Sequence, residues 1–583
     1  MIKQKNHLSR AKEVARKEVQ TFFKKALGTN YDQTLIEITQ PPKSDLGFMA
    51  VPCFRLAEKT GKKPHELSGE LSNEFKKNFL SNKKKSLLVE AKAFGPYINF
   101  FVDNEYFSSL VIHQILQEGQ NFGDVKVTRR KRLMIEYSQP NTHKEFHVGH
   151  LRNVCTGNAL VNLNKAVGYN VVAANYIGDI GAHVAKCLWA LKKFHSGEKL
   201  PKNKGKYLGR IYTEATQKID ENEEYKKEVS KIQQGLENND RKLLMLWKKT
   251  RRWSLEEFYK IYRRLNISFD VYFFESEVEQ PGKKIVSDLL QKGIAEKSEG
   301  AVIIDLEKYS LRQLLLLKSD GTSLYSTKDL ALAKLKFQKY RIDKGIIVTD
   351  NRQSFYFQQI FKTLQVMGFK KDLVHVGYDF VTTKDGAMSS RKGNVVLYED
   401  FEDEVITMAL QETKARHKEW PKSKIFSVSK KIAYAAIKHD MLSQGTGTVI
   451  TFDAKKALQF QGKTGPYLLY VLARISSILK KSKSHVFHNI DFSLLKTPQE
   501  KNLVITLSNF PEVVQEAAIK NEPSILTSYL HDLAKNFSSF YQEIQVLSDN
   551  KLKRHARLAL IRSVKNVMER GLEILGIETV SAM

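Results

Sequence analysis

The sequence predicts an α/β, multidomain protein whose core is a doubly wound parallel sheet, with an α+β module before it and an all-α helical bundle after it. Three observations carry that expectation. The chain has 583 residues, too many for one hydrophobic core at roughly 100–200 residues per domain. A strand, loop, helix, strand unit begins at Lys131 and closes in the loop "GDIG", the repeating unit of such a sheet. From about Ser427 to the end no strand is predicted, only long amphipathic segments such as "PYLLYVLARISSILKK" and "SYLHDLAKNFSSFYQEI", which pack as helices.

The first element is a basic helix in which Leu8, Ala11, Ala15, Val19 and Phe22 share one face. It lacks the apolar core of a secretory signal, and Glu13 and Glu18 argue against a mitochondrial presequence. "TLIEITQPPKSDLGFM" reads as a strand and turn, "RLAEKTG" and "HELSGELSNEFKKNFL" as helices, and "LLVEAKAFGPYINFFV" as a hairpin turning at Gly95-Pro96. In the core, "RLMIEY" is an apolar strand, Gln139-Pro140-Asn141 a turn, and Leu151, Cys155, Ala159, Leu163 and Val167 the buried edge of a helix stopped by Gly168. "NVVAANYIGDIG" follows as the next strand and loop, which makes the unit Rossmann-type. Residues 195–265 are polar and helical and read as an excursion; strand signals resume at "SFDVYFF", "AVIIDL", "KGIIVTD" and "LVHVGYDFV". The expected division is 1–110, 111–375 with the insertion, 376–426 as a connecting segment, and 427–583.

Composition narrows the function. Lys+Arg number 94 against Asp+Glu 64, a formal charge of +30, with a pI near 9.6. Such an excess attracts polyanions, nucleic acid first, although a lysine-rich surface alone gives the same number. No apolar run approaches the roughly 20 residues that span a bilayer, so no membrane partner is expected. Cys53, Cys155 and Cys187 are scattered without a CxxC pair, which supports neither a disulfide framework nor a zinc site and suits the reducing cytoplasm.

The stretch "EYSQPNTHKEFHVGHLRN", Glu136 to Asn153, concentrates the chemistry. His147 and His150 are three apart at a helix start, on one side, beside backbone N–H groups without intrahelical partners. Gly149 between them leaves room for a flat base near the main chain, and the positive end of the helix dipole favours a polyphosphate. A metal is the competing chemistry, because His143, His147 and His150 have ligand-like separations, but no cysteine or helical carboxylate completes a set. Solvated surface histidines are the plain alternative.

A second stretch, "TTKDGAMSSRKGNVV", follows an apolar strand far downstream. Together, HVGH and this late basic loop resemble the two signatures of class I aminoacyl-tRNA synthetases. The wording of "SQPNTHKEFHVGHLRN", "GDIGAH", "SDGTSLYSTKDLALA", "FQGKTGPYLLYVLARISSIL" and "GLEILGIETVSAM" resembles the arginyl-tRNA synthetase family from the amino-terminal domain to the last residue. The resemblance implies activation of arginine with ATP to arginyl-adenylate, then transfer to the 3′ end of tRNA(Arg).

It also implies roles. His147 and His150, with Arg391 and Lys392 of the late loop, would stabilise charge on the α-phosphate and the leaving pyrophosphate; Gly149, Met388, Ser389 and Ser390 would contact ATP. The usual late loop begins with a lysine where this chain has Ala387 and carries a second where it has Ser390. Arginyl enzymes with such a loop place a lysine ahead of the first signature histidine, and Lys144 matches it. Glu136 and Asp329 would pair with the guanidinium, Tyr325 would add its hydroxyl, and Asn141 and Gln353 would hold the amino and carboxylate end. Carboxylates in planar hydrogen-bonding geometry are what a guanidinium site requires independently of any resemblance. Each residue has a plain alternative: strand end, helix cap or core aromatic.

The bundle resembles the family's anticodon-binding domain, where Tyr467, Tyr470 and Arg474 combine aromatics with a cation for stacking unpaired bases, and Lys480, Lys481 and Lys483 suit phosphate. The amino-terminal module resembles the one that contacts the tRNA elbow. Magnesium is expected with ATP, without zinc or any dedicated metal cage, in a cytoplasmic monomer. Two rival readings are compatible with these residues: a nucleotidyl transferase sharing the HxGH loop, which needs neither the helical tail nor the charge, and a noncatalytic tRNA-binding relative.

Overall fold

The computed structural model describes residues 9–28, 31–42, 46–79, 86–125, 127, 130–383, 396–482 and 489–583. Leu8, Lys483 and the whole of residues 384–395, including Ala387, lie outside them.

The amino-terminal unit is built by aromatic packing. Helix α1 (Arg10–Leu27), capped by Ser9, buries Ala11, Ala15, Val19, Phe22 and Phe23. Strand β1 (Met49–Pro52) leads to α2 (Phe54–Thr60) and α3 (Pro64–Glu74), then to the hairpin β2 (Leu88–Phe94) and β3 (Tyr97–Val102). The three strands form an antiparallel sheet in the order β1-β3-β2, and Phe22 meets Phe75 and Phe100 edge to face. The strand expected in "TLIEITQ" is instead a 3-10 turn, Gln33–Leu35, and one bridge from Thr39 to Ala50. Asp32 accepts from the backbone and hydroxyl of Thr34 at 2.9 and 2.8 Å, a local bond that competes with extended pairing, and Pro41-Pro42 removes the next two donors.

Helix α4 (Asn104–Glu118) leads into the core: β4 (Arg132–Glu136), α5 (Val148–Ala166), β5 (Asn170–Ile177), the helices α6 (Ala182–Phe194), α7 (Lys204–Glu221), α8 (Glu223–Glu237) and α9 (Arg241–Arg264), then β6 (Val271–Phe274) and α10 (Glu275–Gln291). A small antiparallel meander follows, β7 (Glu296–Ser298), β8 (Ala301–Ile304) and β9 (Leu314–Leu317), of which only the middle strand was legible in advance. The core ends with α11 (Tyr325–Tyr340), β10 (Lys344–Asp350), α12 (Ser354–Val366), β11 (Asp372–Tyr378) and β12 (Val381–Thr383). Its main sheet is parallel, in the order β11-β10-β4-β5-β6. The chain winds outward from β4 to β6 and then returns to the other side of β4. The direction therefore reverses between β4 and β10, and the crevice at their carboxyl ends, Glu136 and Asp350, is the topological switch point where ligands bind in such sheets.

The remaining elements are α13 (Tyr398–Arg416), α14 (Lys422–Ser443), β13 (Ile450–Phe452), α15 (Ala454–Ala457), α16 (Gly465–Ser482), α17 (Pro498–Ser508), α18 (Phe510–Lys520), α19 (Pro523–Glu543) and α20 (Lys551–Ile574). The bundle is helical as expected, except that β13 pairs in parallel with β12, Val381 opposite Ile450. Three residues whose partner lies so far back in the chain leave no periodic signal.

Helix α5 is central. It is buried almost all round, between the sheet and helices α14, α18 and α19. A Cβ at Gly157 would stand 2.2 Å from the Tyr137 ring, so glycine is what lets the strand end approach this helix. Arg152, also on α5, is buried and donates to the backbone carbonyls of Asp379, Phe380, Gly445, Thr446 and Thr448. Lys438 of α14 reaches the carbonyls of Leu265 and Gly576 at 2.6 and 2.5 Å. Arg152 thus ties α5 to the segments that lead into β12 and β13, and Lys438 ties α14 to the ends of α9 and α20. Among the described residues no helix is long and apolar enough to cross a membrane.

Candidate active site

Between β4 and α5 the backbone turns through left-handed residues, Ser138 (φ 80°), Gln139 (φ 44°) and His143 (φ 65°). Such conformations cost of order 1–3 kcal/mol each and persist when neighbours over-determine them. Here they do. Asn153 of α5 accepts from the Ser138 N–H at 2.5 Å and donates to Gln139 Oε1 and the Val348 carbonyl; Asn175 accepts from the Gln139 N–H at 3.2 Å. The Thr142 N–H donates to the Gly178 carbonyl at 2.8 Å, and Asn141 bridges to the same glycine, pinning the loop to the end of β5.

The structure separates the three histidines. His143 is fully buried, its ring nitrogens 3.0 Å from the Thr142 hydroxyl and 2.7 Å from that of Thr250, with its N–H on the Ser254 oxygen. Burial lowers its pKa to about 3. It braces the loop against α9, and both nitrogens are engaged, so the metal reading of the triplet fails. Among the described residues no three His, Cys, Asp or Glu side chains could hold a metal ion.

His147 and His150 do come together. His147 stands at the amino-terminal cap of α5, its ring stacked 3.7 Å from that of His150 at 28°. Burial, with Lys144 adding, holds His147 down at about 4; burial, His147 and Lys144 hold His150 well below its usual value. Both are therefore neutral near pH 7. The His147 N–H donates to His150 Nδ1 at 3.2 Å, which leaves the proton of neutral His150 on Nε2 as an outward donor. A Cβ at Gly149 would lie 3.0 Å from the His147 ring, so this glycine makes space for the histidine itself. Lys144 lies 4.9 Å from the Tyr212 ring on α7.

Met388, Ser389, Ser390, Arg391 and Lys392 lie outside the described residues. The chain directly after them runs beside the first stretch: the Val148 N–H donates to the Val396 carbonyl at 3.3 Å, and Tyr398 to Phe146 at 3.0 Å.

The carboxylates gather on the other side of the switch point. Asp329 lies on α11 one turn after Tyr325, the first residue of that helix, which is 61% exposed. Burial raises Asp329 to about 7; Tyr356 opposes that rise, Glu136 adds to it, Lys336 opposes it and Glu275 adds again. Its Oδ2 accepts from the Tyr356 hydroxyl at 2.5 Å. Glu136, buried at the end of β4, is ion-paired with Lys336 and accepts from Gln139 at 3.2 Å. Glu275, the first residue of α10, is buried, pairs with Lys328 at 3.0 Å, and is raised chiefly by burial. The hydroxyl of Tyr176, among these acids at the end of β5, has no hydrogen-bond partner among the described residues. Sequence reasoning missed Glu275 and Tyr356. Glu275 follows the apolar strand "VYFF" directly, as Glu136 ends "RLMIE", but no motif of the resemblance covers it.

Gln353 ends the exposed 3-10 turn that follows β10. In the bundle, Tyr467 is held inside by Ser538 at 3.0 Å and lies parallel to His531. Arg474 stacks between Tyr470 and Tyr541, 4.6 and 4.9 Å from their centroids. Tyr470 shares a cavity with Arg416, His417, Phe460 and Met583.

Residues 111–453 match the family model for the class I (R) tRNA synthetase catalytic domain. The fold is that of a class I aminoacyl-tRNA synthetase. The arginyl tRNA synthetase N-terminal domain model matches residues 13–102 and the DALR anticodon binding domain model residues 468–583. The chain belongs to the arginyl-tRNA synthetase family. It is 38% identical to the arginine–tRNA ligase of Bdellovibrio bacteriovorus, over 95% of this chain and 96% of that one, and 34% identical to that of Halothermothrix orenii, over 94% and 95%. The solved arginyl-tRNA synthetase of Thermus thermophilus shares the fold with a TM-score of 0.80 at 24% identity, covering 97% of this chain and all of that one.

Proposed function

We propose that arginine–tRNA ligation by this chain is carried out in the switch-point crevice, with Asp329 taking the guanidinium and the start of α5 taking the phosphates. The observation that carries this reading is Asp329 itself. Glu136 and Glu275 each hold a lysine of the chain, whereas Asp329 has only a neutral phenol and forms no ion pair among the described residues. A buried carboxylate without a cation is suited to an incoming one. Glu136 and Glu275, each held by its lysine, then act as neighbours that orient the pocket rather than as the primary partner, while Tyr325 and Tyr176 offer further oxygens.

With the guanidinium fixed, Asn141 and Gln353 hold the amino end, and the arginine carboxylate points toward α5. One carboxylate oxygen attacks the α-phosphorus of ATP and the bond to pyrophosphate breaks. His147 and His150 supply neutral N–H donors to the phosphate oxygens, Lys144 a charge, and Arg391 and Lys392 neutralise the departing pyrophosphate. Gly149, Met388, Ser389 and Ser390 border the nucleotide. The terminal ribose hydroxyl of tRNA(Arg) then attacks the activated carbonyl and AMP leaves. Bound with ATP, Mg2+ would screen the charge of its phosphates. Residues 1–110 reach the tRNA elbow, 376–426 the stem, and the bundle the anticodon through Tyr470 and Arg474, with Tyr467 shaping the core beneath them. The enzyme acts as a cytoplasmic monomer.

The experiment is charging of total tRNA with each amino acid in turn: arginine alone is incorporated, and equal incorporation of any other contradicts the assignment. The pH dependence has a definite sign. Asp329 is raised to about 7, so below that value it is protonated and neutral while the guanidinium stays charged. The kcat/KM for arginine therefore falls as pH drops through about 7, and the Asp329→Asn variant loses this limb. A profile flat across neutrality rules out Asp329 as the partner.

A further inference from the structure

Tyr356 is the third residue of α12, three positions after Gln353, and belongs to the same short segment that follows β10 at the switch point. Its ring lies against a satellite core formed by α10, β8, β9 and α12, and meets Phe357 edge to face at 5.3 Å. Phe357 in turn stacks on His375 at 4.8 Å. The phenol is therefore fixed in place, and its hydroxyl reaches Asp329 Oδ2 across 27 residues of sequence at 2.5 Å.

We propose that Tyr356 is a positioning residue for arginine selection: by occupying one oxygen of Asp329 it fixes the plane of that carboxylate and presents the other oxygen to the guanidinium. The inference rests on Asp329 being the guanidinium ligand. The N–H groups of a planar guanidinium point in fixed directions, so a bond to the remaining oxygen depends on the orientation of the carboxylate plane, whereas a point-like ammonium is indifferent to it; a locked carboxylate favours arginine over lysine. The other groups facing Asp329 are Glu136 of β4, Glu275 of α10, Lys336 of α11 and Tyr176 of β5. The two glutamates are already bound to Lys336 and Lys328; among the described residues Tyr356 is the group hydrogen-bonded to the Asp329 side chain.

Tyr356→Phe removes the hydroxyl and keeps the ring in its packing. A hydrogen bond to an ionised group is large enough that the KM for arginine rises about 10- to 100-fold. Inhibition by agmatine, which keeps the guanidinium and lacks the carboxylate, weakens by the same factor, while the KM for ATP does not change. Because Tyr356 favours the ionised form of Asp329, the acidic limb of the arginine profile moves to higher pH. In an Asp329→Asn background the same substitution adds less than about two-fold. An unchanged arginine KM, an equal loss for ATP, or an unmoved limb overturns the proposal. If Asp329→Asn itself leaves the arginine KM untouched, the fault lies with the reading of the pocket and not with Tyr356 alone.

Discussion

His150→Ala lowers the rate of arginine-dependent pyrophosphate exchange by about 100- to 1,000-fold, while the KM for arginine stays within about two-fold of its original value. The magnitude is that of losing one pre-placed donor to charge that develops only in the transition state. The mechanism is specific to the observed geometry: Nδ1 of His150 is occupied by the His147 N–H, so the lost group is the Nε2–H. Because burial keeps both rings neutral, the rate does not fall as pH rises through the ordinary range of histidine. His150→Asn, which keeps an acceptor for His147 and a donor beyond it, recovers part of the loss. Thermal midpoints of the variants, equal to that of the parent enzyme, separate this from a folding defect. Undiminished exchange in the alanine variant removes His150 from catalysis.

Asp329→Asn lowers kcat/KM for arginine by about 3 kcal/mol, roughly 150-fold, mostly through KM. Asparagine has the same shape, so packing around α11 is kept and only the charge is lost. The expected size follows from opposing terms: burial and the neighbouring Glu136 and Glu275 disfavour the carboxylate in the free enzyme, and the incoming guanidinium reverses that penalty. Glu136→Gln has a different consequence. It strands Lys336, a buried ammonium whose counter-ion it removes, so its first effect is on stability, measurable as a lowered thermal midpoint, with loss of arginine affinity following from the disturbed pocket. Comparing arginine KM and unfolding temperature for the two variants distinguishes a ligand from a support.

Much of this was legible beforehand, for identifiable reasons. Apolar residues every four positions from Leu151 to Val167 marked the helix that became α5, Val148–Ala166, because helix periodicity is written locally, whereas Glu136 was marked by the family resemblance of its stretch. The pairing of charges was not legible. Nothing in the spacing says that Lys336 reaches Glu136 or that Lys328 reaches Glu275; those contacts depend on how α11 crosses the sheet. His143 looked like a ligand because its separation from His147 is right, yet its left-handed backbone turns it inward to Thr142 and Thr250. The strand in "TLIEITQ" failed for the opposite reason, a local Asx bond and two prolines outweighing β-branched composition.

In the proposed pocket arginine's guanidinium binds at Asp329. A crystal of the enzyme with arginine tests it directly: the expected result is guanidinium nitrogens within hydrogen-bonding distance, about 3 Å, of Asp329 and of Tyr325 or Tyr176, with the carboxylate directed toward His147 and His150. Arginine bound with its guanidinium away from Asp329, or with its carboxylate turned from α5, contradicts it.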